Sequence, residues 1–373
     1  MTSAPRARLV EVHLGERSYP IHLGAGTLAG AGDAIARHSK ATHAAVVTVP
    51  GVGRRYAGTL LRSLRQAGLR TSRIEVPDGD AAKTLRQAAR LYEQLLACRA
   101  DRGSVVVALG GGAVGDLAGF AAATYLRGVP FVQVPTTILS MVDASIGGKV
   151  AVNLPQGKNL VGAFHQPRAH APAASAGWPR RSRPGAAGLA EVVKAAAIRD
   201  AGFFADLERD AERLLALDQA ALLPALERAC AIKAEVVSRD EREQGLRILL
   251  NFGHTLAHAV EALTGYRKVL HGEAVSMGMA YAARRSEQLG CAPAGTAARL
   301  CALLKRLGLP TELPARPRSA YLRALKVDKK RRDARIHYIV LRGIGRAESV
   351  PLTAAEILPG ASGRRRSQKG LKP

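Results

Sequence analysis

SVVVALGGGAVGDLAGFAAATYL, residues 104–126, decides the fold. The unbroken apolar run ending at Leu109 predicts a strand buried on both faces. Glycines follow at once, and Ala, Leu and Phe then recur as in a buried helix. Gly110, Gly112 and Gly115 match G-x-G-x-x-G. In that pattern residues without Cβ let the backbone approach a pyrophosphate, and the helix N-terminus offers unpaired N–H groups. The alternative is a plain tight turn between strand and helix. The acidic residue that a dinucleotide fingerprint carries about 20 positions on has no counterpart in Val132–Pro135, so this is not a standard first βαβ unit.

Working outward, the alternation continues. Ala44–Thr48, Arg73–Val76 and Phe131–Val134 read as strands, and Tyr56–Ala67 and Ala82–Cys98 as helices. The second helix places Leu85, Ala88, Leu91, Leu95 and Leu96 on one side. Strands alternating with helices predict a parallel α/β sheet, Rossmann-like. Past about residue 186 the period becomes helical: 189–199, 203–217, 220–238, 249–263 and 274–288, with no strand signal until Ile336–Leu341. The expected division is an α/β domain over 1–175, a mostly α-helical domain over 176–360 and a tail over 361–373. The tail, with five cations in RRRSQKGLKP, reads as disordered and solvated, with nucleic-acid binding as the alternative.

At 373 residues the chain suits two or three domains. Its 47% hydrophobic and 23% charged residues exclude a disordered chain and a small stapled secreted domain. No apolar run approaches the ~20 residues of a membrane span. MTSAPRARLVEVHLG lacks the apolar core of a secretory signal. Cys98, Cys230, Cys291 and Cys301 form no close-spaced pair, which argues against a disulfide scaffold and for the reducing cytoplasm. Lys plus Arg number 55 against 30 Asp plus Glu, a net charge of +25 that suits anionic ligands.

Two polar clusters stand out. SMVDASIGGKVAVNLPQGKNLVGAFHQP, residues 140–167, holds Asp143, Lys149, Lys158 and Asn159 in a Gly-rich loop. Such a set suits a phosphate or carboxylate, with a solvated loop as the alternative. His254 and His258 lie i, i+4 on one helix face, His271 starts the next helix, and Glu191 lies upstream in GLAEVVK. One carboxylate and two or three imidazoles can build a zinc-type site with an open position. There is no H-E-x-x-H, and histidines that merely cap or pack are the alternative.

Together these strings resemble the 3-dehydroquinate synthases of the sugar phosphate cyclase superfamily. The resemblance covers most of residues 75–345. It rests on ALGGGAVGDLAGFAAATYLRG, VPTTILSMVDASIGGKVAVNLPQGKNLVGAF, GLAEVVK, DEREQGLRILLNFGHTLAHAVE and LHGEAVSMGM. It implies a nucleotide-binding α/β domain followed by a helical metal domain, with NAD and one Zn²⁺ or Co²⁺ per chain. The implied reaction takes the sugar-acid phosphate DAHP to 3-dehydroquinate and phosphate in the shikimate pathway of aromatic amino acid biosynthesis. Transient oxidation, phosphate elimination, reduction and an intramolecular aldol closure are its steps. A homodimer is implied, with no specific nucleic-acid partner and no membrane partner.

The resemblance also assigns residues. Glu191, His254 and His271 would be metal ligands, and His258 the catalytic histidine. Lys194, Lys233, Arg247 and Asn251 match positions that hold substrate hydroxyls and carboxylate. Asp143, Lys149, Asn159 and the Lys329–Lys330 pair match further active-site positions, and Arg127 an arginine reaching phosphate from the neighbouring subunit. For NAD the matching positions are Asp78, Gly79, Asp80, Lys83, Gly112, Ala113, Val114, Gly115, Asp116, Thr136, Thr137, Lys149 and Lys158.

The chain also departs from the family. Residues 169–186, AHAPAASAGWPRRSRPGA, stand where V-x-x-D-x-x-x-L-x-x-L-P-x-R-E is usual. Length is nearly kept and pattern returns at Ala187, as in a short out-of-frame reading. Pro172, Pro179 and Pro184 predict an irregular loop, a lost or distorted sheet edge, and loss of an NAD-contacting turn near 176–179. Ala257 replaces a usual Gly and Asp80 a usual Glu, and VTVPGV (47–52) lacks a usual adenine-ribose contact. Three other readings follow: a cyclase whose substrate lacks the carboxylate, a glycerol-dehydrogenase-like metal-dependent oxidoreductase, or a catalytically impaired binding copy.

Overall fold

The computed structural model describes residues 8–24, 26–172, 183–266, 268–327 and 335–360. Lys329–Lys330, the basic tail and residues 176–179 lie outside the described residues. The chain divides into two compact units, Met1–Pro179 with Leu226–Arg242, and Arg180–Ala225 with Glu243–Pro373. It thus passes three times between units, where the sequence suggests one boundary near 175.

The first unit is built on seven strands: β1 (Arg8–Val12), β2 (Tyr19–Leu23), β3 (His43–Thr48), β4 (Arg70–Glu75), β5 (Ser104–Gly110), β6 (Phe131–Pro135) and β9 (Ala169–His170). The sheet order is β1-β2-β9-β6-β5-β3-β4. Only β1 runs antiparallel to its neighbour; the other pairings are parallel, as Val46↔Arg73 and Val46↔Val107 illustrate. Strand periodicity sends alternate side chains to opposite faces. Ala45, Val47, Val106 and Ala108 pack against α3 (Leu85–Ala97) and α4 (Gly112–Thr124). Ala44, Val46, Val105, Val107 and Leu109 pack under α1 (Ala31–Ser39) and α2 (Gly58–Gln66). Both faces are covered, which explains the unbroken apolar runs of β3 and β5.

The expected apolar side of α3 is narrower than its spacing suggests. Ala88, Leu91 and Leu95 are buried, whereas Leu85 and Leu96 are 48% and 62% exposed. The Gly-rich loop expected around Lys149 and Lys158 is instead a hairpin of β7 (Lys149–Leu154) and β8 (Gly157–Phe164), paired Val150↔Ala163. The expected loop beginning at residue 169 is corrected at both ends. Ala169 and His170 form a short strand inside the sheet, between β2 and β6 and not at an edge. At the far end, Arg183–Ala186 are already the first turn of a helix.

In the second unit that helix is α5 (Arg183–Arg199). It is followed by α6 (Ala201–Arg209) and α7 (Gln219–Arg239), whose part from Leu226 belongs to the first unit. Then come α8 (His254–Leu263), α9 (His271–Gln288), α10 (Thr296–Arg306) and α11 (Arg318–Val327). The strand expected at Ile336–Leu341 is half of a hairpin, β10 (Ile336–Gly343) with β11 (Arg346–Leu352). No helix among the described residues is long and apolar enough to cross a membrane.

Candidate active site

In the first unit, β3 leads to its neighbour β4 on one side, and β5 to β6 on the other. The carboxyl ends of β3 and β5 therefore form a topological switch point, where open α/β sheets take their ligands. Gly110 ends β5 there, and extended Gly111 caps α4 with no side-chain hydrogen bond. Not every glycine of the pattern serves an approach to ligand. A Cβ on Gly115 would come 2.8 Å from Gln133 Oε1 on β6, so this glycine sets helix-to-strand packing. A Cβ on Gly110 would lie 2.7 Å from Val114 Cγ2. Thr136 is buried just beyond β6, and the Thr137 hydroxyl lies 2.8 Å from that of Ser140.

Beside this end lies a polar network drawn from three segments. Lys83 Nζ donates to Asp116 Oδ2 and to Asn159 Oδ1, both at 2.6 Å. Lys158 Nζ lies 2.9 Å from Asp80 Oδ2. Asn159 takes φ +55°, which an Asn tolerates better than most residues. Burial pushes the Asp116 carboxyl up to about 6, against the pull of the Lys83 ammonium. Asp80, Lys83, Asp116, Lys158 and Asn159 are thus brought together. Asp78 closes a local turn instead, its Oδ1 accepting from the Gly79 amide at 2.7 Å. Elsewhere in the unit Lys233 Nζ donates to Asp143 Oδ1 at 2.6 Å. Arg127 follows α4 with φ +67° on an exposed turn.

The second unit gathers the metal-type residues. Glu191 on α5 is 2% exposed. Its Oε1 has no hydrogen-bond partner among the described residues, and His254 Nε2 at 3.7 Å and His271 Nε2 at 3.9 Å face it. One ligand atom from each of Glu191, His254 and His271 lies within 4.8 Å of the others. The far side of each ring is held: His254 Nδ1 by the Phe252 carbonyl at 3.2 Å and His271 Nδ1 by Glu261 Oε1 at 3.4 Å. With Nδ1–H donating outward, each Nε2 lone pair points to the shared centre, as in carboxylate–histidine–metal arrangements. A buried carboxylate with a bare oxygen between two such imidazoles fits a divalent metal.

Glycines allow this closeness. A Cβ on Gly272 would lie 1.8 Å from the Ala187 carbonyl oxygen, so α9 can meet α5 only with glycine there. Gly253 takes φ +82° ahead of α8 and its carbonyl oxygen lies 2.0 Å from where a Gly278 Cβ would be. The buried Lys194 ammonium pairs with Glu191 one turn away on α5. His258 sits one turn beyond His254, with its ring edge-on at 5.8 Å. Arg247 and Asn251 lie on a short 3₁₀ turn, Leu246–Asn251, with the arginine side chain fully buried. Asn251 Nδ2 donates to Glu243 Oε1 at 2.8 Å. Sequence reading did not single out Glu243 or Glu261. Both lie inside the quoted string DEREQGLRILLNFGHTLAHAVE, Glu243 four residues before Arg247 and Glu261 at its end, yet nothing in the local sequence links Glu261 to His271.

The chain matches family models for the N-terminal part of 3-dehydroquinate synthase over residues 73–174 and the C-terminal part over residues 188–331. It is 48% identical to a 3-dehydroquinate synthase of Citrifermentans bemidjiense over 91% of this chain and 94% of that protein. A crystal structure of 2-deoxy-scyllo-inosose synthase with carbaglucose-6-phosphate, NAD⁺ and Co²⁺ superposes with TM-score 0.84 at 25% identity, covering 94% of this chain and 98% of that one. A 2-epi-5-epi-valiolone synthase from Streptomyces hygroscopicus subsp. jinggangensis, with NAD⁺ and Zn²⁺ bound, gives 0.81 at 29%, covering 92% and 96%. The class these folds define is the sugar phosphate cyclases. Within that class, the chain belongs to the 3-dehydroquinate synthase family.

Proposed function

We infer that the chain is a 3-dehydroquinate synthase, a phosphate-eliminating lyase that converts DAHP to 3-dehydroquinate. The observation that carries this reading beyond family membership is the bare Glu191 Oε1 facing two imidazole nitrogens. Glu191, His254 and His271 would hold one Zn²⁺ or Co²⁺, the ions of the two solved cyclases, with coordination positions left for substrate oxygens. When bound, NAD supplies reversible two-electron oxidation of a substrate alcohol, and the metal a Lewis acid for vicinal hydroxyls.

The protein's own groups do the rest in this reading. The first unit is the NAD domain and the second supplies the metal ligands. The α4 N-terminus and Gly112, Ala113, Val114 and Gly115 would cradle the pyrophosphate. Asp78, Gly79, Asp80, Lys83, Asp116, Thr136, Thr137 and Lys158 would complete the NAD contacts. Lys194, paired with the Glu191 carboxylate, would donate to a substrate hydroxyl. His258, outside the triad, would move a proton. Lys233, Arg247 and Asn251 would bind the substrate's carboxylate and hydroxyls. Asp143, Lys149 and Asn159 would orient the reacting sugar, cations among these groups stabilising departing phosphate. Arg127 would reach phosphate across a homodimer interface. Leu126 beside it is 40% exposed and so open to such a contact. Four free cysteines suit the cytoplasm.

A second reading, a catalytically impaired copy, has one observation in its favour: AHAPAASAGWPRRSRPGA at 169–186 stands where the family's usual V-x-x-D-x-x-x-L-x-x-L-P-x-R-E is expected. Phosphate release from DAHP by the purified protein with NAD decides between them. Release that chelation stops and Zn²⁺ or Co²⁺ restores supports the synthase. No release under any metal supports the impaired copy.

A further inference from the structure

Asp143 and Lys149 flank a turn whose backbone has few conformational choices. Gly147 and Gly148 take φ of +95° and +67°, and Lys149 follows directly as the first residue of β7. Groups outside the proposed reaction machinery grip this turn. The hydroxyl of Tyr19, a fully buried residue on β2, accepts a hydrogen bond from the Gly147 amide at 3.0 Å. The Gln166 carboxamide fills the space over Gly148, its atoms 2.7–2.8 Å from where a Cβ would stand. The His165 amide donates to the Gly148 carbonyl at 2.8 Å. Gln166 is itself tethered: its Nε2 donates to Glu241 Oε1 at 3.0 Å, and Glu241 Oε2 accepts from Arg17 Nη2 at 2.7 Å.

We propose that Tyr19 and Gln166 are positioning residues for Lys149, acting through the backbone of the Gly147–Gly148 turn. Removing the hydroxyl takes this acceptor from the buried Gly147 amide and loosens the turn at that point. A shift at Gly147 carries directly into Lys149, two residues on. Misplacement of a reacting group by about 1 Å can cost up to two orders of magnitude in rate. The Arg17–Glu241–Gln166 chain fixes the other side, so the lysine leaves the turn in one direction. This inference rests on the synthase reading, in which Lys149 touches cofactor and substrate.

Tyr19→Phe removes one oxygen and keeps the ring. We expect about tenfold lower kcat and about tenfold weaker NAD⁺ binding by calorimetry. Tyr125→Phe is the control. Its hydroxyl donates to the Ala100 carbonyl at 2.8 Å in the same unit, and its loss should lower Tm while leaving kcat and NAD⁺ affinity unchanged. Wild-type kcat and NAD⁺ affinity in Tyr19→Phe, with a Tm drop like the control's, would overturn the proposal. If Tyr19→Phe does not fold, Gln166→Ala asks the same question. A tenfold loss of both quantities supports the role, and wild-type values refute it. A parent protein that binds NAD⁺ without turning over DAHP would refute the synthase reading, and the NAD⁺ affinities of the variants would still decide the role of Tyr19.

Discussion

Gly272 and Ala187 are locked together: a Cβ on the glycine would fall 1.8 Å from the alanine's carbonyl oxygen. This contact joins the start of α9, which carries His271, to the stretch of α5 that carries Glu191. Backbone cannot yield as the tip of a flexible side chain can. Gly272→Ala should therefore destabilise by about 1–3 kcal/mol through overpacking, and should lower metal occupancy by parting Glu191 from His271. Thermal melting and metal analysis of the purified variant check both. Full metal content with an unchanged Tm would show that the two helices are not held this way.

The proposed reading gives the neighbouring histidines different roles. His254→Ala should lose the metal, because its Nε2 faces Glu191 Oε1. His258→Ala should keep the metal and lose rate, since its imidazole belongs to no ligand triad among the described residues. Metal analysis with turnover on both variants tests the division. Equal loss of metal from both would overturn it.

Glu261 gives a subtler test. Its carboxylate holds His271 Nδ1 at 3.4 Å and so fixes which nitrogen faces the centre. Glu261→Gln should weaken Zn²⁺ binding by about 10–100-fold, the usual effect of removing such a partner. Competition with a chelator measures it. Unchanged affinity would mean that the ring is oriented by packing alone.

Much of this was legible in the sequence, for identifiable reasons. Strands β3 and β5 are buried on both faces, so their apolar runs announce them. Glu191, His254 and His271 are expected together because the strings around them are long and specific, and the structure gathers them into one group. Hairpin β7–β8 reads as a loop because GKNLVGAF opens on Gly-Lys-Asn and its short apolar run is interrupted by Gly162. The support of His271 by Glu261, and of Gly147 by Tyr19, depends on packing between distant segments and leaves no local trace. The strand at Ala169–His170 is hidden for another reason. Its two residues read as part of a proline-rich linker, yet β2 and β6 leave a slot that parallel pairing fills.

That slot carries a cost. His170 is fully buried; its Nε2 meets Ser145 Oγ at 2.6 Å, while Nδ1 has no hydrogen-bond partner among the described residues. Burial holds the imidazole down to about 3. The folded value lies below the ordinary one of about 6.5. Stability from keeping the ring neutral is therefore intact above pH ~6.5 and lost as pH falls toward 3. His170→Val should flatten the fall in urea midpoint between pH 7 and 5. A variant with the parent's pH dependence would show that His170 is not the acid-sensitive group.

The most direct test of the central claim is product formation at trace NAD⁺. Metal-loaded protein is given excess DAHP and NAD⁺ well below the substrate concentration, and 3-dehydroquinate, phosphate and NADH are followed together. A synthase that returns the hydride it takes should form 3-dehydroquinate and phosphate in equal amounts, many times the NAD⁺ present, with no NADH accumulating. NADH rising in step with substrate consumption, or product capped at the amount of NAD⁺ added, would contradict the account.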